Sequence, residues 1–415
     1  MADRPPVAVD DRAAIAHLLR RATFGPAPGQ VETLNAGGIA AALNSVLAAT
    51  PPPVPADPAM EGWEPIKWWI ARMADPAVGL HEKMTWYWHG HLTSSISKVG
   101  QWPWMWTQHK LIRDNALGNF RTLVQAITID AAMLVYLDGD PSVVQNPNEN
   151  YSRELMELFC LGIGNYTEAD VKNGAKALAG YDVSWPDGVV TFYPEYALTT
   201  PVTYLGKSVK TAQDVVNAVV DHPACAPWIS TKLYRFFVGQ QPTAQRVTEL
   251  ATVFRNNNLE IKPLVEAILR DPLFLDPSTR YNRAKQPVEW VTNAFAAAGA
   301  SNPGWATSVA NDLGQLPFDP PSVAGWPGGT RWLAASAAFT RAALAIDGPT
   351  LTQITNAATP AAMVDTTLAQ CSIYQVSPAT RAALDAISNT TTLAKWQRSR
   401  ILFASAVTSP EFALA

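Results

Sequence analysis

Apolar residues recur every three to four positions along nearly the whole chain, and this period limits the fold more than any other feature. It predicts successive amphipathic helices, punctuated where Gly and Pro break the pattern. Asp11 is placed to cap a helix carrying Ile15, Leu18 and Leu19 on one face, ended by Gly25-Pro26. A second helical stretch, Val31 to Ala48, is interrupted at Gly37-Gly38. Pro51 to Pro53 and Pro55 then form a stiff polyproline-like connector. The pattern returns from Trp63 to Asp138, with breaks at Asp75-Pro76, Gly90, Gly100 to Pro103 and Gly118-Asn119. Another helix is expected from about Asn150 to Leu161. Thr167 to Asp170 reads as a capping box opening the next, which closes near Gly180.

One region has the other period. Between Tyr181 and Gly206, Val183, Val189, Val190, Thr191, Phe192 and Tyr193 surround a turn at Asp187-Gly188, which predicts a small β-hairpin. Helices resume from Thr211 to Ala298 and from Ala306 to Leu316. A Pro/Gly-rich loop, Leu316 to Thr330, precedes the final helices. No break has the composition of a linker, so the expectation is an all-α fold in one domain, residues 1–415, with a hairpin insertion. Ala267 to Phe274 faintly echoes Ala406 to Phe412; both read as a helix stop followed by an anchoring aromatic.

Composition narrows the function classes. With 415 residues, 48% hydrophobic and only 16% charged, the chain can bury a large core and is no candidate for extensive disorder. The formal net charge of −4 and the absence of a basic run set nucleic-acid binding aside. Cys160, Cys225 and Cys371 lie far apart, which speaks against a disulfide framework or a thiolate zinc site. The Met1 to Asp11 segment lacks the basic and apolar regions of an export signal, and no stretch is apolar enough to span a membrane. A cytoplasmic location is the resulting expectation. The fifteen Trp are the outlier, suited both to core packing and to flat ligand platforms.

Three constellations can carry chemistry. In Trp86-Tyr87-Trp88-His89-Gly90-His91, the two imidazoles converge only if the chain leaves the helix at Gly90, because helical residues two apart point about 200° away from each other. Metal ligation, ligand contact with acid/base work, and plain hydrogen bonding to backbone all remain open for His89 and His91. In Asn148 to Phe159, the apolar Tyr151, Leu155, Leu158 and Phe159 oppose Glu149, Asn150, Arg153, Glu154 and Glu157. Glu149, Arg153 and Glu157 are spaced for intrahelical ion pairs. The same crowding can split the Glu154 and Glu157 carboxyls into an acid and a base if the face lines a cleft. In the third, Phe318 to Gly329, Pro and Gly fix an unusual backbone path, and Trp326 with Trp332 can wall a ring-bearing ligand or fill the space under the loop. Ser94, Ser95 and Ser97 beside His91 lack any nucleophile elbow, and Cys160 follows an apolar face that favours packing over reactivity.

Taken together these segments resemble the bacterial domain-of-unknown-function 1800 family. The likeness runs through Ala16 to Gly25, Trp88 to His91, Leu117 to Arg121, Asn148 to Gly164, Tyr166 to Val171, Ala177 to Tyr181, Lys285 to Glu289 and Pro320 to Gly329. The resemblance implies that the His pair, the Asn/Glu/Arg helix and the Gly-Trp-Pro-Gly-Gly loop serve one shared polar site, though it brings no settled activity. Relatives often carry a His-Asp-x-Gly-x-Lys-Thr stretch after the hairpin. Here Ala197 to Thr203 stands in its place without His, Asp or Lys, which puts activity of that kind in doubt.

The leading expectation is a hydrolase. Glu154, Glu157, His89 and His91 would be its catalytic groups, and Asn148, Asn150, Arg153, Trp88, Trp326 and Trp332 would hold a small-molecule or glycan ligand, carbohydrate-like or otherwise polar. Because Glu154 and Glu157 share one helical turn, a second acid is sought in Asp138, Asp140 or Glu289. The alternatives are a non-catalytic binding or assembly protein using the same cleft, and a metal-dependent enzyme with His89 and His91 as ligands. Cofactor and oligomeric state are left open.

Overall fold

A computed structural model of the chain describes residues 10–300, 302–334 and 349–415. The opening Met1 to Val9, read above for an export signal, lies outside them. The described residues are mainly helical, with two small antiparallel two-stranded sheets. One hydrophobic cluster extends from Ile15 in the first helix to Phe412 in the last, with Trp69, Trp88, Trp106 and Trp290 fully buried in it.

The expected interruptions fall where Gly and Pro put them. Helices cover Gln30–Asn35 and Gly38–Ala48, then Glu64–Met73, Gly79–His91 and Trp102–Asp114. The Thr167 capping box is present: the Thr167 hydroxyl accepts from Asp170 N and the Asp170 carboxylate accepts from Thr167 N. Asp11 stands at the start of the Arg12–Ala22 helix but caps elsewhere, its Oδ2 accepting from Ile39 N at 2.8 Å. The echo between Ala267–Phe274 and Ala406–Phe412 is a shared local device. Each long helix stops, a short Pro-led helix follows, and Phe274 or Phe412 anchors it at 0% exposure.

Three expectations need correction. The Tyr181–Gly206 hairpin is two hairpins: Tyr181–Val183 pairs with Val190–Phe192, and Val202–Tyr204 pairs with Lys207–Val209. Gly206 is therefore a turn residue at φ +74, not the end of a strand. The Gly79–His91 helix runs through Gly90 without a break. Finally, the helix from Asn150 is α-helical only to Glu154 and continues as a π-helix over Leu155–Cys160.

The π-helix is the local feature that organises what surrounds it. Widening the turn gives Leu161 N→Met156 O at 2.8 Å, an i+5 bond, and leaves the next carbonyls without partners on their own helix. Side chains from two neighbouring helices supply the donors. His91 Nε2 donates to Phe159 O at 2.9 Å. Trp228 Nε1 and Lys232 Nζ, both from Cys225–Val238, donate to Leu158 O at 3.2 Å each. Gly162, at φ +82, passes so close to the Trp228 ring that a Cβ would meet it at 2.6 Å.

Candidate functional site

A cleft of about 660 Å3 opens between the Gly79–His91 helix, the Cys225–Val238 helix, the Tyr281–Gln286 segment and the Pro/Gly-rich loop. Its aromatic walls are Trp86 and Tyr87 on one side, Phe236 on another and Trp326 above. Trp326 stacks on Trp86 with centroids 5.2 Å apart and planes 22° apart. The loop reaches this position through backbone contact. Gly325, at φ +81, leaves no room for a side chain, since a Cβ there would lie 2.5 Å from the Gly90 carbonyl oxygen. On the helix side, a Cβ at Gly90 would touch the Trp326 ring at 3.9 Å. That contact is ordinary, so it is Gly325 that lets the loop lie on the helix and carry Trp326 over the cleft.

The two histidines have separate partners. His89 Nε2 accepts from Phe318 N at 3.0 Å, and its ring packs against Trp69 and Trp86. Burial lowers its pKa to about 3. His91 turns to the π-helix, and because Phe159 O can only accept, His91 Nε2 carries the proton and Nδ1 is left as an acceptor. Burial and the nearby Lys232 charge hold this imidazole neutral as well. Both Nε2 atoms are thus committed to backbone groups, and the unbroken helix keeps the rings from converging. Among the described residues no cluster of three or more His, Cys, Asp or Glu side chains is arranged for a metal ion.

The polar face of Asn150–Cys160 is organised differently from its spacing. Arg153 reaches Glu168 at 2.6 Å and Glu149 at 3.3 Å, all on the surface. Glu157 takes no part in that ladder; it accepts from Tyr166 Oη at 2.5 Å. Glu154 is half-buried, and desolvation together with the Glu157 charge raises its carboxyl pKa. Asn148 caps its own turn, its Oδ1 accepting from Asn150 N, while Asn150 Nδ2 donates to Asp138. Neither carboxylate lines the cleft.

Of the predicted site residues, the cleft gathers His91 and Trp326. Trp88 is in the core, with Nε1 donating to Ala116 O at 2.9 Å. Trp332 is buried outside the cleft lining, and its neighbour Leu333 lines the cleft instead. Ser95 donates to Asp319 and Ser94 accepts from Gln108, so neither addresses His91. Of the further acids, Asp138 pairs with Lys98 at 2.8 Å, and Asp140 accepts from Val183 N. Glu289 is fully buried behind the cleft wall, between Lys83 and both terminal nitrogens of Arg283 at 2.8 Å. Those cations hold its carboxyl far below the usual range despite its burial, so it does not serve as a proton donor.

Sequence reasoning missed the basic side of the cleft, Lys232, Arg235 and Arg283. Arg283 stands two residues before the Lys285 to Glu289 stretch already singled out, and that proximity was a usable signal. Lys232, Arg235 and Phe236 sit on a helix whose pattern looks like ordinary amphipathy, so nothing in it separates them from a solvated face. Tyr87 lies inside the aromatic run, and its hydroxyl is buried without a hydrogen-bond partner, as is His91 Nδ1. Burial raises the Tyr87 pKa far above the ordinary phenol range, so it stays protonated. Lys232 is shifted the other way, down to about 8, by desolvation.

No helix among the described residues is long and apolar enough to cross a membrane. Neither a curated protein nor a solved structure matches the chain. A family model does match, over residues 17–414. The chain belongs to the family described as protein of unknown function, DUF1800.

Proposed function

We propose that this protein binds a small ring-bearing ligand in the cleft walled by Trp86, Tyr87, Phe236 and Trp326. The observation that carries the reading is the cleft itself: about 660 Å3, aromatic on several sides, with polar groups at its edges. This combination of a mostly apolar wall and a few convergent polar groups is what small-molecule sites require. Support also comes from the placement of Trp326, which Gly325 brings over the cleft by close approach to the Gly90 carbonyl. The ligand stacks between Trp326 and the Tyr87–Phe236 wall. Calorimetric titration with indole-3-carboxamide, a neutral ring probe, tests it. Binding at one site per chain, abolished by Trp326→Ala with the thermal midpoint preserved, is the expected result. Binding undiminished in that variant would place the probe elsewhere and remove the proposal.

A second reading keeps hydrolysis by Glu154 and Glu157. One observation favours it: the Glu154 carboxyl is raised beside a Glu157 whose carboxylate accepts from Tyr166, the pairing of acid and base that such chemistry uses. It ranks second because both groups stand on a face away from the cleft. Turnover of a panel of nitrophenyl glycosides that disappears in both Glu154→Gln and Glu157→Gln would promote it. Activity indifferent to both substitutions, or none with any glycoside, would end it.

A further inference from the structure

The cleft has a sign. Lys232, Arg235 and Arg283 line it, and among the described residues no Asp or Glu does. Behind the wall Lys83 joins Arg283 on the single carboxylate of Glu289. Counting these side chains gives four cations against one carboxylate, a surplus of three positive charges around one cavity. The chain as a whole carries a formal net charge of −4, so this concentration runs against its average.

Each cation is placed differently. Arg283 spends its two terminal nitrogens on Glu289 and keeps Nε buried without a partner. Among the described residues Lys232 donates to the neutral Leu158 carbonyl alone, lies 5.1 Å from the Trp228 ring centre and has no carboxylate within ion-pair distance. Arg235 is exposed at the rim and pairs with no acidic side chain among the described residues. A cation removed from water without a counter-ion is costly, and low-dielectric walls strengthen its attraction for an anion. Trp86 and Trp326 supply such walls.

We infer that the ligand of this cleft is a ring-bearing anion, a carboxylate or phosphate ester, whose charge is met by Lys232, Arg235 and Arg283 while its ring packs on Trp326. The inference rests on the binding reading above and deepens it by naming the ligand's charge. Arg235 and Lys232 approach from one helix, four and three residues from Gly239 and Arg235 respectively along it, so they meet the anion from the same side. Arg283 meets it from the Tyr281–Gln286 segment. An anion bound there also offsets the surplus charge that the fold leaves unpaired.

The test compares two probes of the same shape, indole-3-carboxylate and indole-3-carboxamide, titrated calorimetrically into the full chain at low ionic strength. The carboxylate is expected to bind at least about tenfold tighter than the amide and to lose most of that margin in 0.5 M salt, as screening of an ionic contact requires. Arg235→Ala is the main variant, since that side chain is exposed and makes no ion pair among the described residues. It should weaken the carboxylate several-fold and leave the amide unchanged, and Arg235→Lys should restore part of the loss. Lys232→Met gives an independent second reading, with the thermal midpoint checked because Lys232 also supports the π-helix. If the amide binds as well as the carboxylate, the anion inference falls while the ring-binding site stands. If neither probe binds, both fall. A carboxylate preference indifferent to both variants would overturn the assignment of these cations.

Discussion

The ions around Glu289 and those around Arg153 are the same chemical groups in opposite settings. Glu289 is 2% exposed and meets Lys83 and Arg283 inside the protein, whereas Arg153, Glu149 and Glu168 keep a third to two-thirds of their side chains in water. By spacing alone the Arg153 face looked the more purposeful, because Glu149, Arg153 and Glu157 stand four residues apart. Its partners turned out to be a surface triad with Glu168, and Glu157 left it for Tyr166. The Glu289 group has a sequence separation of 206 residues from Lys83, beyond the reach of any local pattern. The contrast teaches that helical spacing ranks ion pairs by proximity along the chain, while their worth is decided by burial.

The contrast can be broken most directly at Glu289. Glu289→Gln leaves Lys83 and Arg283 buried with no counter-ion, and should cost about 3–5 kcal/mol in denaturant unfolding. A loss under 1 kcal/mol would mean that the two cations reach water or another anion, and the distinction from the Arg153 face would disappear. Next in size is His91→Ala, which removes the donor to Phe159 O at the end of the π-helix. The uncovered carbonyl should cost about 1–3 kcal/mol by the same measurement. Native stability would show that the neighbouring Trp228 and Lys232 suffice to hold that turn.

Acid sharpens the comparison, because imidazoles and the Glu289 carboxylate titrate in different windows. His17 and His89 are both lowered by burial to about 3, so between pH 6.5 and 3 the unfolded chain binds protons that the folded chain refuses. Stability is therefore full above about pH 6.5 and falls as pH drops toward 3. The slope is about 1.4 kcal/mol per pH unit for each such imidazole well inside the window. Glu289, held far below the ordinary carboxylate range, loses its contribution only at the acid end. Denaturant midpoints at pH 8, 6 and 5 should decline in the parent and decline less in His89→Gln. A flat profile in the parent would mean the imidazoles take up protons in place.

The smallest effect belongs to the surface triad. Arg153→Ala should move the thermal midpoint by no more than about 2 °C, since exposed pairs are screened and hold long side chains at an entropic cost. A larger drop would put that face under a load that its exposure does not suggest.

Much of the fold was legible because it is written locally. The period of apolar residues located the helices, Gly and Pro located their ends, and Thr167 with Asp170 announced a cap, all through interactions spanning a few residues. The π-turn at Leu155–Cys160 was not legible. Its sequence continues the α period, and the widened turn is maintained by donors from residues 91, 228 and 232. The same holds for the candidate site. Sequence singled out His91, Trp326 and Gly90, all of which line the cleft, yet read Gly90 as a helix exit where the helix runs on and its carbonyl meets Gly325. Glu154 and Glu157 seemed central, whereas the cleft formed around Lys232, Arg235 and Arg283. What the sequence determined by itself was the helical class, the breaks and the stretches of unusual chemistry, because each rests on neighbours along the chain. Which of those stretches share a cavity, which ions are dry and which carbonyls need a side chain were decided by packing between segments hundreds of residues apart, since burial and charge pairing depend on distance in space.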